Sequence, residues 1–113
     1  LDGGDIVRAL EERSKLRSFF ADYDLVHVNG QMVSALEYIH NKHVVHRDIK
    51  GDNFLMDRSA LTDPHCQVVL TDFGSARVLL PGDRLSESCG TRYFWSPEFY
   101  SLSYTNKVDI WAL

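Results

Sequence analysis

The sequence predicts an α+β fold, mainly helical, with one short pair of β-strands. Leu25, Val28, Met32, Ala35, Leu36 and Ile39 recur at intervals of three and four, the period that puts apolar side chains on one face of a helix. Two short apolar runs, Phe54-Leu55-Met56 and residues 67–71, flank a polar connection containing Asp63-Pro64, as strands joined by a loop do. Residues 75–95 show no sustained period, only the turn chemistry of Pro81-Gly82-Asp83 and several hydroxyl side chains, and read as a long mobile segment.

Taken in order, residues 1–4 read as the end of an extended connection. Asp5 then offers a side-chain oxygen to the free amides of a short helix carrying Ile6, Val7 and Leu10. The second helix has Asp22 or Asp24 available as its cap, and Gly30 weakens its middle without abolishing it. Val44 and Val45 form a brief extended piece, and residues 54–56 pair with 67–71 across the loop at 57–66. Pro97 opens a short helix, and Asn106 or Thr105 caps a final one beginning near Lys107. There is no internal repeat, low-complexity tract or linker, so one incomplete domain is expected over residues 1–113.

Composition narrows the partners more than the function. With 44% hydrophobic and 25% charged residues the chain has the balance of a soluble globular domain. Twelve basic against 16 acidic residues give a net charge of -4 and no basic stripe, so nucleic acid is not expected as a partner. No apolar stretch approaches the length of a membrane span. Two unpatterned cysteines, Cys66 and Cys89, read as small packing residues and suit a reducing compartment, the cytoplasm or nucleus.

The chemistry is concentrated in the run His46-Arg47-Asp48-Ile49-Lys50-Gly51-Asp52-Asn53 and in Asp72-Phe73-Gly74. Transfer of a phosphoryl group from a metal-bound nucleotide needs an aimed acceptor hydroxyl and neutralisation of the leaving diphosphate. Asp48 is the candidate to orient that hydroxyl and take its proton, and Lys50 can reach the transferring group. Asn53 offers an amide oxygen and Asp72 a carboxylate, the hard donors magnesium accepts. Each motif alone would read as a turn or a surface loop; together, and in this order, they do not. His40, His43 and His46 recur every third residue, yet read as helix-end residues and part of this run rather than as a metal cluster.

On these motifs, with Ser96-Pro97-Glu98 and Asp109-Ile110-Trp111 following in order, the chain resembles the eukaryotic protein kinases. Lys50 points to their serine/threonine side. The resemblance implies part of the C-terminal lobe, from the end of the hinge to the start of the helix after the activation segment, with the strand pair carrying the catalytic and Asp-Phe-Gly loops. No glycine-rich loop or nucleotide-pairing lysine precedes the motifs, so the amino-terminal lobe and the final helices are expected to be absent and the isolated chain inactive. The implied parent reaction transfers the terminal phosphoryl group of ATP, with Mg2+, to serine or threonine hydroxyls of protein substrates. The alternatives are a pseudokinase or a truncated interaction module.

Further roles follow from the resemblance. His46 and Phe73 match residues that stack in an internal column, and Asp109 matches an aspartate that anchors the catalytic-loop backbone. Leu55 matches the leucine beneath the adenine, and Asp5 sits where an acid often contacts the ribose, beside its reading as a helix cap. Thr91 matches the threonine bonded to the catalytic aspartate and lysine, and Glu98 matches a glutamate paired with an arginine of a later helix. Glu87, aligned on Cys89-Gly90-Thr91, falls where many relatives carry a phosphorylated threonine. A carboxylate there would pair with Arg47, with Ser86 or Ser88 as the alternative modification sites. Tyr93-Phe94-Trp95 reads as packing against the final helix.

The chain departs from the pattern in three places. The 19 residues from Asn53 to Asp72 exceed the usual connection, so the excess is expected to bulge as a surface loop over residues 59–66. Ser96 stands where alanine is more common, and Phe94 where tyrosine is.

Overall fold

A computed structural model describes residues 2–15, 21–58 and 60–113. Leu1 and Ser59, which fall in two of the segments read above, lie outside the described residues. Among the described residues four α-helices span Ile6–Lys15 (α1), Asp22–Asn41 (α2), Pro97–Tyr100 (α3) and Lys107–Ala112 (α4). Among the same residues four short strands span Val44–Val45 (β1), Phe54–Met56 (β2), Val68–Leu70 (β3) and Arg77–Val78 (β4), and single 3₁₀ turns span Gly51–Asn53 and Arg92–Phe94. Among the described residues no helix is long and apolar enough to cross a membrane. The chain divides into two units, Leu1–Ala35 with Gly51–Thr71, and Leu36–Lys50 with Asp72–Leu113.

In the first unit, α1 begins as its sequence dictates. Asp5 Oδ1 accepts the Arg8 amide at 2.8 Å, closing one of the amides a helix start leaves open. Only Ile6 of α1 is buried; Leu10 faces out. α2 starts differently from expectation. Neither aspartate is the cap residue: Asp24, inside the first turn, reaches back and accepts the Ala21 amide at 3.1 Å, the glutamate role of a capping box played by a shorter acid.

β2 and β3 pair antiparallel in the register Phe54↔Leu70, Leu55↔Val69, Met56↔Val68, burying Phe54, Met56, Val68 and Leu70 and leaving Val69 outward. Residues 3 and 4 extend this pair, since the Gly3 amide donates to the Met56 carbonyl at 3.0 Å and the Met56 amide to the Gly4 carbonyl at 2.8 Å. The outer edge of β3 is served by a side chain of α2. Gln31 Oε1 accepts the Val68 amide at 2.8 Å and its Nε2 donates to the Cys66 carbonyl at 3.0 Å, so one amide imitates a strand partner.

The long connection is closed at its neck. The Asp57 amide donates to the Gln67 carbonyl at 3.1 Å, and Asp57 Oδ1 accepts the Gln67 amide at 2.7 Å. It is not wholly a surface bulge as the sequence suggests, because Leu61 and Cys66 are buried. Two apolar side chains anchor the excess length, which loop-closure entropy alone penalises only weakly.

In the second unit, β1 pairs antiparallel with β4, Val44↔Val78 and Val45↔Arg77. The segment expected to be irregular therefore contains a strand, and it gains a second tie where Leu85 and Tyr104 exchange backbone hydrogen bonds. Two-residue strands leave no readable period, which is why the sequence shows only the β2–β3 pair. Val45, Phe99, Tyr104 and Val108 form the buried cluster of this unit, with Leu79, Leu85, Cys89 and Trp95 packed against it. Trp95 lies 4.6 Å from Phe99 and 5.1 Å from Tyr100 between ring centroids, whereas Tyr93 is 91% exposed. The aromatic triplet thus splits, and Tyr93 does not share the packing role expected of it. At α4, Asn106 occupies the cap position without a side-chain bond, and Thr105 Oγ1 accepts the Lys107 amide at 3.5 Å.

Candidate active site

The backbone of the 46–50 run is set by one buried carboxylate. Asp109, in the first turn of α4, accepts the His46 amide on Oδ2 and the Arg47 amide on Oδ1, both at 2.9 Å. Arg47 adopts φ 70°, the left-handed turn that lets consecutive amides converge on one anion. His40 Nε2 adds a third bond to Asp109 Oδ2 at 2.9 Å. His40 lies in the last turn of α2, as expected, and its ring also reaches this anchor, while His43 serves through its backbone, at φ 61° just after α2.

His46 is fully buried, and its Nδ1 accepts the Asp48 amide at 3.1 Å, which leaves the ring proton on Nε2. Phe73 meets the His46 ring edge-on, with centroids 5.0 Å apart at 69°, and remains 46% exposed. The expected stack is an edge contact on a half-open ring.

Asp48, Lys50 and Thr91 converge. Thr91 Oγ1 donates to Asp48 Oδ1 at 2.8 Å and accepts from Lys50 Nζ at 2.9 Å, while Lys50 Nζ stands 4.0 Å from Asp48 Oδ2. One hydroxyl therefore uses its donor and an acceptor lone pair to hold an acid and a base side by side. Close approach of the two loops requires Gly90, at φ 75°, where a Cβ would fall 2.2 Å from the Arg47 carbonyl oxygen.

Asp72 is exposed and adopts φ 61°, with Oδ1 accepting the Gly74 amide at 3.3 Å. Glu87 Oε1 lies 3.9 Å from Arg47 and 3.5 Å from Arg77. Ser86 and Ser88 are exposed, and Glu98 lies in the first turn of α3. Among the described residues Glu98 has no ion pair.

In the first unit, Asn53 is buried at the end of its 3₁₀ turn, and its carbonyl accepts the Thr71 amide at 2.8 Å. Leu55 and Asp5 face each other across an isolated antiparallel bridge. Asp5 performs the cap role described above. Among the described residues no group of three or more metal-ligating side chains of the histidine, cysteine and carboxylate type comes together, the His40, His43, His46 trio included.

Residues that sequence reading missed are His40, Ser75, Arg77 and Tyr104. His40 had a signal, since it lies one helical turn after buried Leu36 and so shares its face. Tyr104 had none: a lone tyrosine says nothing of its hydroxyl, which here accepts from Arg47 at 3.0 Å and donates to the Glu87 carbonyl. Burial raises its phenol above the ordinary value of 10.0, with Arg47 opposing.

The protein kinase domain family matches residues 1–113, and the chain belongs to that family. It is 37% identical to the serine/threonine-protein kinase Nek4 of Mus musculus over 99% of its own length and 13% of that protein. It is 32% identical to Nek5 of the same organism, covering 99% of the chain and 17% of that kinase. It is 34% identical to an Aurora kinase of Eremothecium gossypii, covering all of the chain and 28% of the relative. The chain thus spans between about an eighth and just over a quarter of these relatives, and it is a partial kinase domain of helices and short antiparallel strands. ATP and magnesium are typical of the family.

Proposed function

We propose that this chain supplies part of the C-terminal lobe of a serine/threonine protein kinase, whose reaction moves the terminal phosphoryl group of ATP to protein serine or threonine hydroxyls. The observation that carries the reading is the Thr91 hydroxyl joined to both Asp48 and Lys50. Asp48 is thereby oriented as an acceptor for a substrate hydroxyl proton, and the Lys50 ammonium is held where negative charge develops. The reading assigns magnesium to Asn53 and Asp72, an amide and a carboxylate whose hard oxygens suit that ion. Bound magnesium would neutralise the leaving diphosphate. Leu55 and Asp5 are assigned to the adenine and ribose. The free thiols Cys66 and Cys89 suit a reducing compartment, and we extend the proposal to the cytoplasm or nucleus.

The test is phosphoryl transfer from labelled ATP to a mixed serine/threonine peptide library, using the protein that carries this chain and its Asp48→Asn variant. Transfer that drops by about a thousandfold in the variant supports the reading, as loss of a positioned base and orienting group does. Transfer unchanged in Asp48→Asn would overturn it.

A further inference from the structure

Arg84 spends its guanidinium on a single neutral residue. Its Nε donates to the Ser103 hydroxyl oxygen at 2.7 Å and a terminal nitrogen donates to the Ser103 carbonyl at 2.8 Å. Among the described residues Arg84 has no ion pair, although Asp83 stands beside it in sequence. A guanidinium is a planar fork of donors whose strongest partner is an anion with several oxygens, and a serine side chain offers one. Arg84 and Ser103 are both exposed, so the hydroxyl is open to modification.

The backbone builds this clasp. Leu102, at φ 56°, turns the chain after α3, and Leu85 and Tyr104 exchange amide-to-carbonyl bonds at 2.9 and 3.0 Å, which brings residues 84 and 103 within reach. Beside it, the Tyr104 hydroxyl bonds Arg47, whose Nε donates to the Ser75 carbonyl at 2.7 Å.

We propose that Ser103 is a phosphoryl acceptor and that Arg84 is the preset receptor for the phosphate it gains. The site lies between α3 and α4, beyond the 75–95 segment, and stands whether or not this chain belongs to an active enzyme. In the transfer, Ser103 Oγ bonds the terminal phosphorus of ATP held by a modifying serine kinase. The bridging P–O bond breaks, its electron pair leaves on ADP, and the hydroxyl proton passes to the carboxylate base of that kinase. The product places about two negative charges and three acceptor oxygens on the atom Arg84 already touches. Neutral bonds become charge-assisted, and the clasp tightens across Leu85 and Tyr104.

The test uses the protein that carries this chain, with phosphoserine installed at position 103 during translation, beside the unmodified protein and the Arg84→Gln variant of each. Hydrogen exchange of residues 84–87 and 103–105 is read with the phosphorus NMR titration of the phosphate. The phosphate slows exchange by about tenfold, and its titration midpoint lies below that of the Arg84→Gln form. Both differences vanish in Arg84→Gln, and Arg84→Lys, a point charge without the fork, restores part of them. Mass spectrometry of the protein isolated from eukaryotic cells with phosphatases blocked finds phosphate on Ser103. Equal exchange with and without the phosphate overturns the proposal, as does an unchanged midpoint in Arg84→Gln or a Ser103 that stays unmodified in those cells.

Discussion

His40 and Asp109, 69 positions apart, meet through Nε2 and Oδ2 at 2.9 Å, with the carboxylate 1% exposed. Because Asp109 also holds the amides of His46 and Arg47, the end of α2 and the start of α4 are tied to the run that bears Asp48. His40→Ala leaves two of the three bonds and should destabilise the second unit by about 1 kcal/mol, whereas Asp109→Ala strands two buried amides and should cost roughly 3 kcal/mol. Urea unfolding of both variants measures the difference, and equal losses would contradict this ranking.

Thr91 separates bonding from bulk. Thr91→Val keeps the shape and removes the hydroxyl, so kcat should fall by about a hundredfold; Thr91→Ser keeps the hydroxyl and should stay within several-fold of wild type. Steady-state kinetics on a serine peptide, with the protein that carries this chain, provide the comparison and test the kinase reading proposed above.

Ser96 is 1% exposed, and its Oγ has no hydrogen-bond partner among the described residues. Ser96→Ala removes a buried polar atom without loss of a bond and should raise stability by about 1 kcal/mol, visible as a higher melting temperature. A lower one would mean that the hydroxyl has a partner.

Alkali should weaken the fold. Burial raises the Cys66 and Cys89 thiols above 9.0 and the Tyr104 phenol above 10.0. Raised values mean that the unfolded chain loses these protons first, so their contribution is full below about pH 9 and is lost as pH climbs through the folded values. Melting temperature measured from pH 8 upward should fall across that window, with a shallower decline in Tyr104→Phe.

Much of this was legible in the sequence for physical reasons that can be named. The α2 face repeats long enough to show its period, and Asp5 and Pro97 are start signals whose chemistry is local. Asp48, Lys50 and Thr91, singled out together in the sequence, do meet through the Thr91 hydroxyl. β1 and β4 were not legible as a pair, since two residues each carry no alternation. Nor was the full Arg47 cluster, in which Ser75 and Tyr104 join Glu87 only through tertiary structure.

Asp72 and Arg47 both occupy left-handed backbone, at φ 61° and 70°, where a side chain is normally penalised. An engineer ranking substitutions by folding stability alone would favour glycine at exposed Asp72 but not at Arg47, whose buried guanidinium is bonded to Ser75 and Tyr104. At Asp72 the change would relax the main chain and erase the carboxylate proposed above as a magnesium ligand, so on that assignment heat tolerance and turnover pull in opposite directions there.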